Sequence, residues 1–285
     1  MTDIVISGVN NMNCDFEVIT SMSLDYYHRT GNKFVESFDE YWPQNVTLQI
    51  YTENQDQEKL GEYCGPVLSN KRNGTIRAIP NTYDSFVARN IDKPHQKTNS
   101  LEHGAIRFAP KAFSIIDCLE NAILQKRKFN RNFYLIWLDA DSVTHTKIDN
   151  HFFKLITDNY NPDMPLSYLG RKHSYTETGF ICFNISRQSD ELWRFLYSYG
   201  YYYSSDAIFT LPQWHDCMPF DVARKSIDPQ ENKCLNLSPT NSSWYDHVFI
   251  NSELGKYMDH MKGPRKDVGR SKKEESNHDH PYWKV

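Results

Sequence analysis

Short apolar runs rich in β-branched and aromatic residues recur along the chain, separated by segments with apolar residues at helical spacing. The runs predict strands at Phe16–Thr20, Val46–Tyr51, Thr75–Ile79, Phe133–Leu138, Ser167–Leu169 and Thr178–Asn184. The intervening segments predict helices over about 25–40, 82–90, 110–126, 149–156, 188–199 and 206–213. Strands that alternate with helices predict an α/β domain with a mostly parallel central sheet flanked by helices.

The most apolar run, Phe133-Tyr-Leu-Ile-Trp-Leu138, is typical of a central strand buried on both faces, and Asp139-Ala-Asp141 follows it directly. Open α/β sheets bind ligands beyond the carboxyl ends of their strands. Two carboxylates at such a position can hold a divalent cation, which can in turn neutralise a diphosphate. The alternative is a helix N-cap and a turn residue, for which Asp is also favoured. The position after this strand favours the metal site.

A second candidate lies far downstream, in His260-Met-Lys-Gly263-Pro-Arg-Lys266. A neutral imidazole can complete a metal shell, glycine lets the backbone approach an anion closely, and Lys266 offers a positive charge to a phosphate. Taken alone, this string is more typical of a basic surface loop. Together with the two aspartates, it gives candidate residues for a metal and phosphate site, in which the imidazole could complete the metal shell.

Composition supports a globular protein, since 39% of the 285 residues are hydrophobic and 24% are charged. A net charge of -4 gives no general attraction to nucleic acid or to an anionic membrane. The longest apolar run is far shorter than the roughly 20 residues of a membrane helix. We therefore expect no membrane span and a cytoplasmic location. We also expect one domain over 1–264 and a charged, flexible tail over 265–285, where apolar residues are few.

The two motifs together resemble the GT-A glycosyltransferases, and most closely the retaining glycogenin-like and lipopolysaccharide galactosyltransferase-like family, which combines a DxD with a late HxxGxxKPW. His260, Gly263 and Lys266 match that second motif, whereas Asp267-Val268 stand in place of Pro-Trp. Phe16–Ser21 is also similar to the first strand and nucleotide-contacting loop of such enzymes. Similar stand-alone proteins are familiar from tailed phages, which is compatible with a viral source and a host cytoplasm.

The resemblance implies transfer of a sugar, with retention, from a nucleoside-diphosphate sugar to an acceptor hydroxyl. Mn²⁺ or Mg²⁺ would bridge the two phosphates, and a UDP-sugar is the favoured donor. Asp139 would face the ribose and the metal, while Asp141 and His260 would bind the metal directly. Gly263 and Lys266 would contact the diphosphate, with Lys266 stabilising the leaving group.

The same resemblance implies further contacts. Thr20, Ser21 and Tyr26 would hold the base and ribose, and Arg107 and Lys111 would place positive charge near the diphosphate or the sugar. Glu177 would contact sugar hydroxyls ahead of Gly179, and Asp216, next to Trp214, would lie on the acceptor side. Each of these residues has an ordinary alternative in core packing or in a solvated helix start.

Two other functions remain open from the sequence. A nucleotidyltransferase also joins an α/β sheet to acidic metal ligands, although the Gly-rich phosphate loop usual near its first strand is absent here. A non-catalytic carbohydrate-binding protein would also suit an aromatic content of 14%. The acceptor is equally open, because a saccharide, a protein, a small metabolite and a modified base in phage DNA are all compatible. The sequence does not set the oligomeric state.

Overall fold

A computed structural model describes residues 14–71, 74–93, 103–126, 132–185, 190–239 and 247–284. The strands are β1 (Cys14–Ser21), β2 (Thr47–Thr52), β3 (Gly74–Ala78), β4 (Asn132–Leu138), β5 (Ser142–Thr144), β6 (Leu166–Leu169), β7 (Glu177–Asn184), β8 (Leu235–Asn236) and β9 (Met258–His260). The helices are α1 (Leu24–Tyr26), α2 (Asn32–Tyr41), α3 (Gln57–Lys71), α4 (Asn81–Asn90), α5 (Ala105–Lys126), α6 (Asn150–Ile156), α7 (Asp190–Ser204), α8 (Cys217–Ile227), α9 (Val248–Asn251) and α10 (Arg265–Val268). A π-helical turn, Tyr27–Gly31, joins α1 to α2, and short 3-10 helices lie at Asn54–Asp56, Ala207–Thr210, Glu253–Lys256, Lys273–Glu275 and Pro281–Lys284.

Seven strands form one mostly parallel sheet in the order β3-β2-β1-β4-β7-β6-β8. Strand β1 pairs in parallel with both β2 and β4, and β2 pairs in parallel with β3. Strand β7 runs antiparallel to β4 and β6, while β8 is parallel to β6. The predicted α/β architecture with a mostly parallel central sheet is therefore confirmed. Strands β5 and β9 form a separate antiparallel ribbon.

The central strand β4 contributes to two core clusters, because successive side chains of a strand point to opposite faces of the sheet. Tyr134 and Ile136 pack in one cluster with side chains from α2 and α6. Leu135 and Trp137 pack in the other with side chains from α5, α7 and α8. Apolar surface is thus buried on both faces, as the unbroken apolar run predicts.

Helix boundaries differ from the predictions where proline or polar residues intervene. Helix α5 begins at Ala105 and contains Pro110, because Ala105 and Ala109 are fully buried and extend its packed face. Helix α8 was not predicted; Pro219 lies in its first turn, where a missing N–H is tolerated. Helix α3 was not predicted either, since its polar sequence includes Gly65 and Pro66.

The segment expected to be a flexible tail makes extensive contacts in the structure. The Trp283 side chain is buried, and its Nε1 donates to the Gly255 carbonyl at 3.2 Å. The Tyr282 hydroxyl donates to Asp259 at 3.0 Å. Residues 265–284 thus include two aromatic side chains that pack on the rest of the described chain, and the flexibility of this segment stays a prediction. A stretch dense in charge nevertheless carries two large aromatic side chains, and these dock on the domain.

No helix in the described ranges is both long and apolar enough to cross a membrane.

Candidate metal and diphosphate site

The sheet and the small ribbon bring the two predicted motifs together. Asp139 and Asp141 lie between the end of β4 and the start of β5. In the ribbon Ser142 pairs with His260, and the Met261 amide donates to the Asp141 carbonyl at 2.9 Å. The His260 Nε2 atom consequently lies 3.1 Å from Asp141 Oδ1 and 3.7 Å from Asp139 Oδ2.

These three side chains have the geometry and chemistry to hold one divalent cation. One ligand atom from each of Asp139, Asp141 and His260 lies within 4.8 Å of the others. Asp141 Oδ1 is buried, and the His260 Nε2 atom that faces it at 3.1 Å makes no well-aligned hydrogen bond to it. A buried carboxylate oxygen without a donor is costly unless a cation meets it. Two carboxylates and an imidazole suit Mn²⁺ or Mg²⁺, and the imidazole favours Mn²⁺.

Gly179 is required at its position by close approach to His260. Its carbonyl accepts a hydrogen bond from the Asp139 amide at 3.0 Å, which joins β7 to the end of β4. A Cβ atom at this position would lie 2.5 Å from His260 Cε1 and 2.9 Å from its Nδ1. A side chain there would therefore displace the imidazole.

Lys266 contacts the same carboxylate from the other side. Its Nζ lies 2.7 Å from Asp141 Oδ2 and donates to the Tyr26 hydroxyl, also at 2.7 Å. Burial alone raises the pKa of Asp141, but His260 and Lys266 outweigh it and hold that pKa far below its usual value. Burial, together with Asp141 and Asp139, raises the pKa of Tyr26, so its hydroxyl keeps its proton.

Helix α10, which carries Lys266, is tied to the π-helical turn beside Tyr26. Arg29 donates to Asp267 at 2.8 Å. Asp267 stands at the position of the proline in the HxxGxxKPW motif. The residue that differs from that motif therefore forms the ion pair with Arg29. Because both side chains are more than half exposed, the pair orients α10 more than it stabilises the fold.

Lys111 joins Asp139 to a second buried carboxylate. Its Nζ lies 2.8 Å from Asp139 Oδ1 and 2.9 Å from Asp216 Oδ2. It also donates to the carbonyl and hydroxyl of Thr178. Burial by itself lowers the pKa of Lys111, but the two carboxylates reverse the effect and raise it. Burial likewise favours a neutral Asp216, yet Lys111 and Thr178 lower its pKa, so the carboxylate stays ionised.

Glu177, at the start of β7, lies next to His260, and both of its carboxylate oxygens accept hydrogen bonds from other residues. Its Oε1 accepts from the Gly179 amide at 3.1 Å and lies 3.8 Å from His260 Nδ1. Its Oε2 accepts from both Arg171 and Lys262. Glu177 was predicted to contact sugar hydroxyls, and neither Arg171 nor Lys262 was predicted as its partner.

Comparison with known proteins adds a distant structural likeness. No family model matches the sequence, and no curated protein matches it. Among the solved structures that match is mouse xyloside xylosyltransferase 1 in its apo form, with a TM-score of 0.48 and 13% sequence identity. The likeness covers 75% of this chain and 83% of the mouse chain. So distant a likeness identifies no family for this chain.

Two further predicted nucleotide contacts, Thr20 and Ser21, lie at the carboxyl end of β1, whereas Gly263 lies between β9 and α10. Thr20 is fully buried, and its hydroxyl has no hydrogen-bond partner among the described residues. Ser21 ends β1 opposite Tyr51. Gly263 has a φ of 57°, and a Cβ atom there would meet nothing within 4 Å. The backbone at Gly263 is thus both strained for other residues and open to a ligand.

Two further residues considered from the sequence, Arg107 and Trp214, have aromatic neighbours in the described part of the chain. Arg107 is exposed, with its guanidinium 5.9 Å from the centre of the Phe108 ring, and no described ion pair joins it to the cluster. Trp214 packs edge-on against His103 and Phe209. Its indole nitrogen donates to the Leu211 carbonyl, so Trp214 is a packing residue in this structure.

Arg171 and Lys262 are the site residues that sequence reasoning missed. Lys262 lies inside the late motif at a position that the motif leaves variable, so nothing marked it. Arg171 lies in the loop between β6 and β7 and belongs to no motif. Only the pairing of β7 with β4 brings Glu177, and with it these two cations, beside His260.

Proposed function

We propose that this chain is a metal-dependent glycosyltransferase that moves a sugar from a nucleoside-diphosphate sugar to an acceptor hydroxyl. The observation that carries the proposal is the convergence of Asp139, Asp141 and His260 at the carboxyl end of the central strand, with the Lys266 ammonium 2.7 Å from Asp141. Such a cluster suits a diphosphate leaving group, whose negative charge grows as its bond to the sugar breaks.

In this proposal Asp139, Asp141 and His260 would hold Mn²⁺ or Mg²⁺. When bound, the cation neutralises charge on the two phosphates. Lys266 donates to a phosphate oxygen, and the protonated Tyr26 hydroxyl beside it orients the ammonium. Gly263 lets backbone approach the same group. The hydroxyl of Thr20, which is buried and unpartnered within the described ranges, is available to the nucleotide.

The residues around Lys111 would face the sugar. Lys111 keeps Asp216 ionised and holds the carboxylates of Asp139 and Asp216 in place, because it bonds to both at once. Asp216 is then an acceptor for a sugar hydroxyl. We assign retention of configuration from the resemblance to the glycogenin-like family, and we assign no dedicated base to the protein. A UDP-sugar is the donor we favour, and the acceptor is a saccharide or another hydroxyl compound.

Hydrolysis of nucleotide sugars, measured with Mn²⁺ and with EDTA, tests the proposal. We expect Mn²⁺-dependent turnover of at least one UDP-sugar by the natural chain. Asp141→Asn should reduce that turnover roughly 10²–10³-fold, because a preorganised charge on the leaving group is lost. Asp92→Asn, an exposed change outside the site, is the matched control and should leave turnover unchanged. Full activity in EDTA, or in Asp141→Asn, would rule the proposal out.

A further inference from the structure

The ring of His260 meets the proposed metal site with one nitrogen and a third carboxylate with the other. Its Nε2 atom faces Asp141 Oδ1 at 3.1 Å and Asp139 Oδ2 at 3.7 Å. Its Nδ1 atom faces Glu177 Oε1 at 3.8 Å. The imidazole therefore lies between the two aspartates on one side and Glu177 on the other.

The Nδ1 atom of His260 is buried and needs a partner from the protein. The His260 side chain is only 2% exposed, so bulk water does not serve this nitrogen. Nδ1 makes no hydrogen bond to the described residues. A buried ring nitrogen that carries a proton is costly unless an acceptor meets it. Glu177 is the carboxylate that the described part of the chain places beside it.

The carboxylate of Glu177 is held with Oε1 toward His260. Its Oε2 atom accepts hydrogen bonds from both Arg171 and Lys262, so these two donors do not occupy Oε1. Oε1 accepts from the Gly179 amide at 3.1 Å, and a carboxylate oxygen has room for a second donor. The Glu177 side chain is buried, so this acceptor is part of the fold.

Gly179 keeps the space between the two groups open. A Cβ atom there would lie 2.9 Å from His260 Nδ1 and 3.1 Å from Glu177 Oε1, between the nitrogen and the oxygen. The backbone of His260 is anchored separately, because His247 Nε2 donates to its carbonyl at 2.8 Å. The gap of 3.8 Å is about 0.6 Å longer than an ordinary N–H···O bond, an adjustment within reach of a side-chain rotation.

Resting on the proposed metal-dependent function, we infer that Glu177 is a positioning residue for the metal ligand His260. It accepts the Nδ1 proton and so selects the tautomer of the neutral imidazole whose lone pair is on Nε2. That lone pair is directed at the two aspartates, where the cation would be held. Metal-bound histidines commonly donate their second ring N–H to a carboxylate, which fixes the ring and strengthens the ligand. Glu177 thus supports the metal ligand instead of contacting sugar hydroxyls.

The tautomer of His260 in the natural chain tests this inference without a substitution at Glu177. Proton–nitrogen correlation NMR spectra of the full chain, labelled at its histidine nitrogens, show which ring nitrogen carries the proton. The spectra are recorded with UDP and saturating Mg²⁺, which is diamagnetic and leaves the signals sharp. The His260→Ala variant assigns the His260 signals by their absence. We expect the proton on Nδ1, and a proton on Nε2 would overturn the inference.

Glu177→Gln tests the inference through metal affinity. Arg171 and Lys262 should keep the new carbonyl oxygen as their acceptor, which turns the NH₂ group toward His260 Nδ1. A donor there opposes a proton on Nδ1 and favours the tautomer whose Nε2 cannot bind a cation. We expect Mn²⁺ affinity, measured by isothermal titration, to fall roughly 10–100-fold, and the Nδ1 proton to be lost. Glu120→Gln, an exposed change on α5, is the matched control and should retain both.

The outcomes separate this inference from a structural role of Glu177 and from the proposed function. A structural role would lower the urea midpoint of Glu177→Gln and leave its Mn²⁺ affinity and the His260 tautomer unchanged, which would overturn the inference. If Glu177→Gln does not fold, the tautomer in the natural chain decides. Mn²⁺ binding by a natural chain with the proton on Nε2 would overturn the inference alone. Absence of Mn²⁺ binding by the natural chain with UDP would overturn the proposed function, and the inference with it.

Discussion

At the scale of single residues, the candidate site depends on close contacts that leave no room for a larger side chain at Gly179. Gly179 lies where the end of β4, the start of β7 and the His260 ring meet. Its amide and its carbonyl are both used, by Glu177 and by Asp139. The absence of a side chain here is therefore as necessary to the site as the ligands themselves.

Substituting Gly179 with alanine should displace the imidazole of His260. The added Cβ atom would lie 2.5 Å from His260 Cε1, closer than non-bonded carbon atoms approach. We expect Mn²⁺ affinity to fall roughly 10–100-fold, the usual effect of disturbing the support of a metal ligand. Isothermal titration with Mn²⁺ measures it. Gly200→Ala is the control, since its Cβ atom would meet Ile116 at an ordinary 3.8 Å. Unchanged Mn²⁺ affinity in Gly179→Ala would contradict the assignment.

Individual site residues were predictable where a motif marked them. Asp139, Asp141, His260 and Lys266 were predicted from two motifs to lie together, and the structure brings their side chains together. Their roles stay predictions. Lys111 was identified only as one of two candidates, and the structure places it, not Arg107, at the carboxylates. Arg171 was not identified, since a single arginine in a loop carries no pattern.

At the scale of elements, the length of a strand decided whether the sequence could predict it. Six of the seven strands of the central sheet were predicted from their apolar and β-branched residues, and the two-residue strand β8 was not. The three-residue strands β5 and β9 were not found, although their pairing is what brings His260 to Asp141. So short a ribbon has no periodicity to detect, and its partners are far apart in the chain. The residues of the candidate site could therefore be predicted, but the β5–β9 ribbon that brings them together could not.

The C-terminal segment depends on a histidine that stays neutral. The His145 ring stacks on Tyr282, with centroids 4.1 Å apart, and lies 4.9 Å from the His280 ring. Burial, followed by the charge of His280, lowers the pKa of His145 from 6.5 to about 3. A histidine whose pKa is lower in the folded chain than in the unfolded chain stabilises the fold at pH values above its unfolded-state pKa. That stabilisation is lost as the pH falls toward its folded-state pKa. Stability should therefore decrease as pH falls from 6.5 toward 3.

Urea unfolding at pH 7 and pH 4 measures this dependence. His145→Phe keeps an aromatic ring against Tyr282 but cannot take up a proton, so it should lose less stability between the two pH values than the natural chain. His151→Phe, at an exposed position on α6, should lose as much as the natural chain. If the free energy of unfolding falls by the same amount between pH 7 and pH 4 in His145→Phe and in the natural chain, protonation of His145 does not contribute to the pH dependence.

At the scale of the whole molecule, the topology accounts for the position of the site. Parallel pairing of β1, β2 and β4 aligns their carboxyl ends, so Thr20 and Asp139 lie at the same edge of the sheet. The antiparallel strand β7 begins at that edge and places Glu177 and Gly179 there. The alternation of strands and helices predicted this arrangement in outline. The direction of β7 and the docking of the C-terminal segment depend on contacts between residues far apart in the chain, which local patterns do not contain.

The proposed function requires one cation held jointly by Asp139, Asp141 and His260. Titration of the full chain with Mn²⁺ in the presence of UDP, followed by electron paramagnetic resonance, measures whether this cation binds. We predict one tightly bound Mn²⁺ per chain, strongly weakened in His260→Ala and unaffected in His151→Ala, whose imidazole lies in solvent. Equally tight binding of Mn²⁺ to His260→Ala and to the natural chain would contradict it.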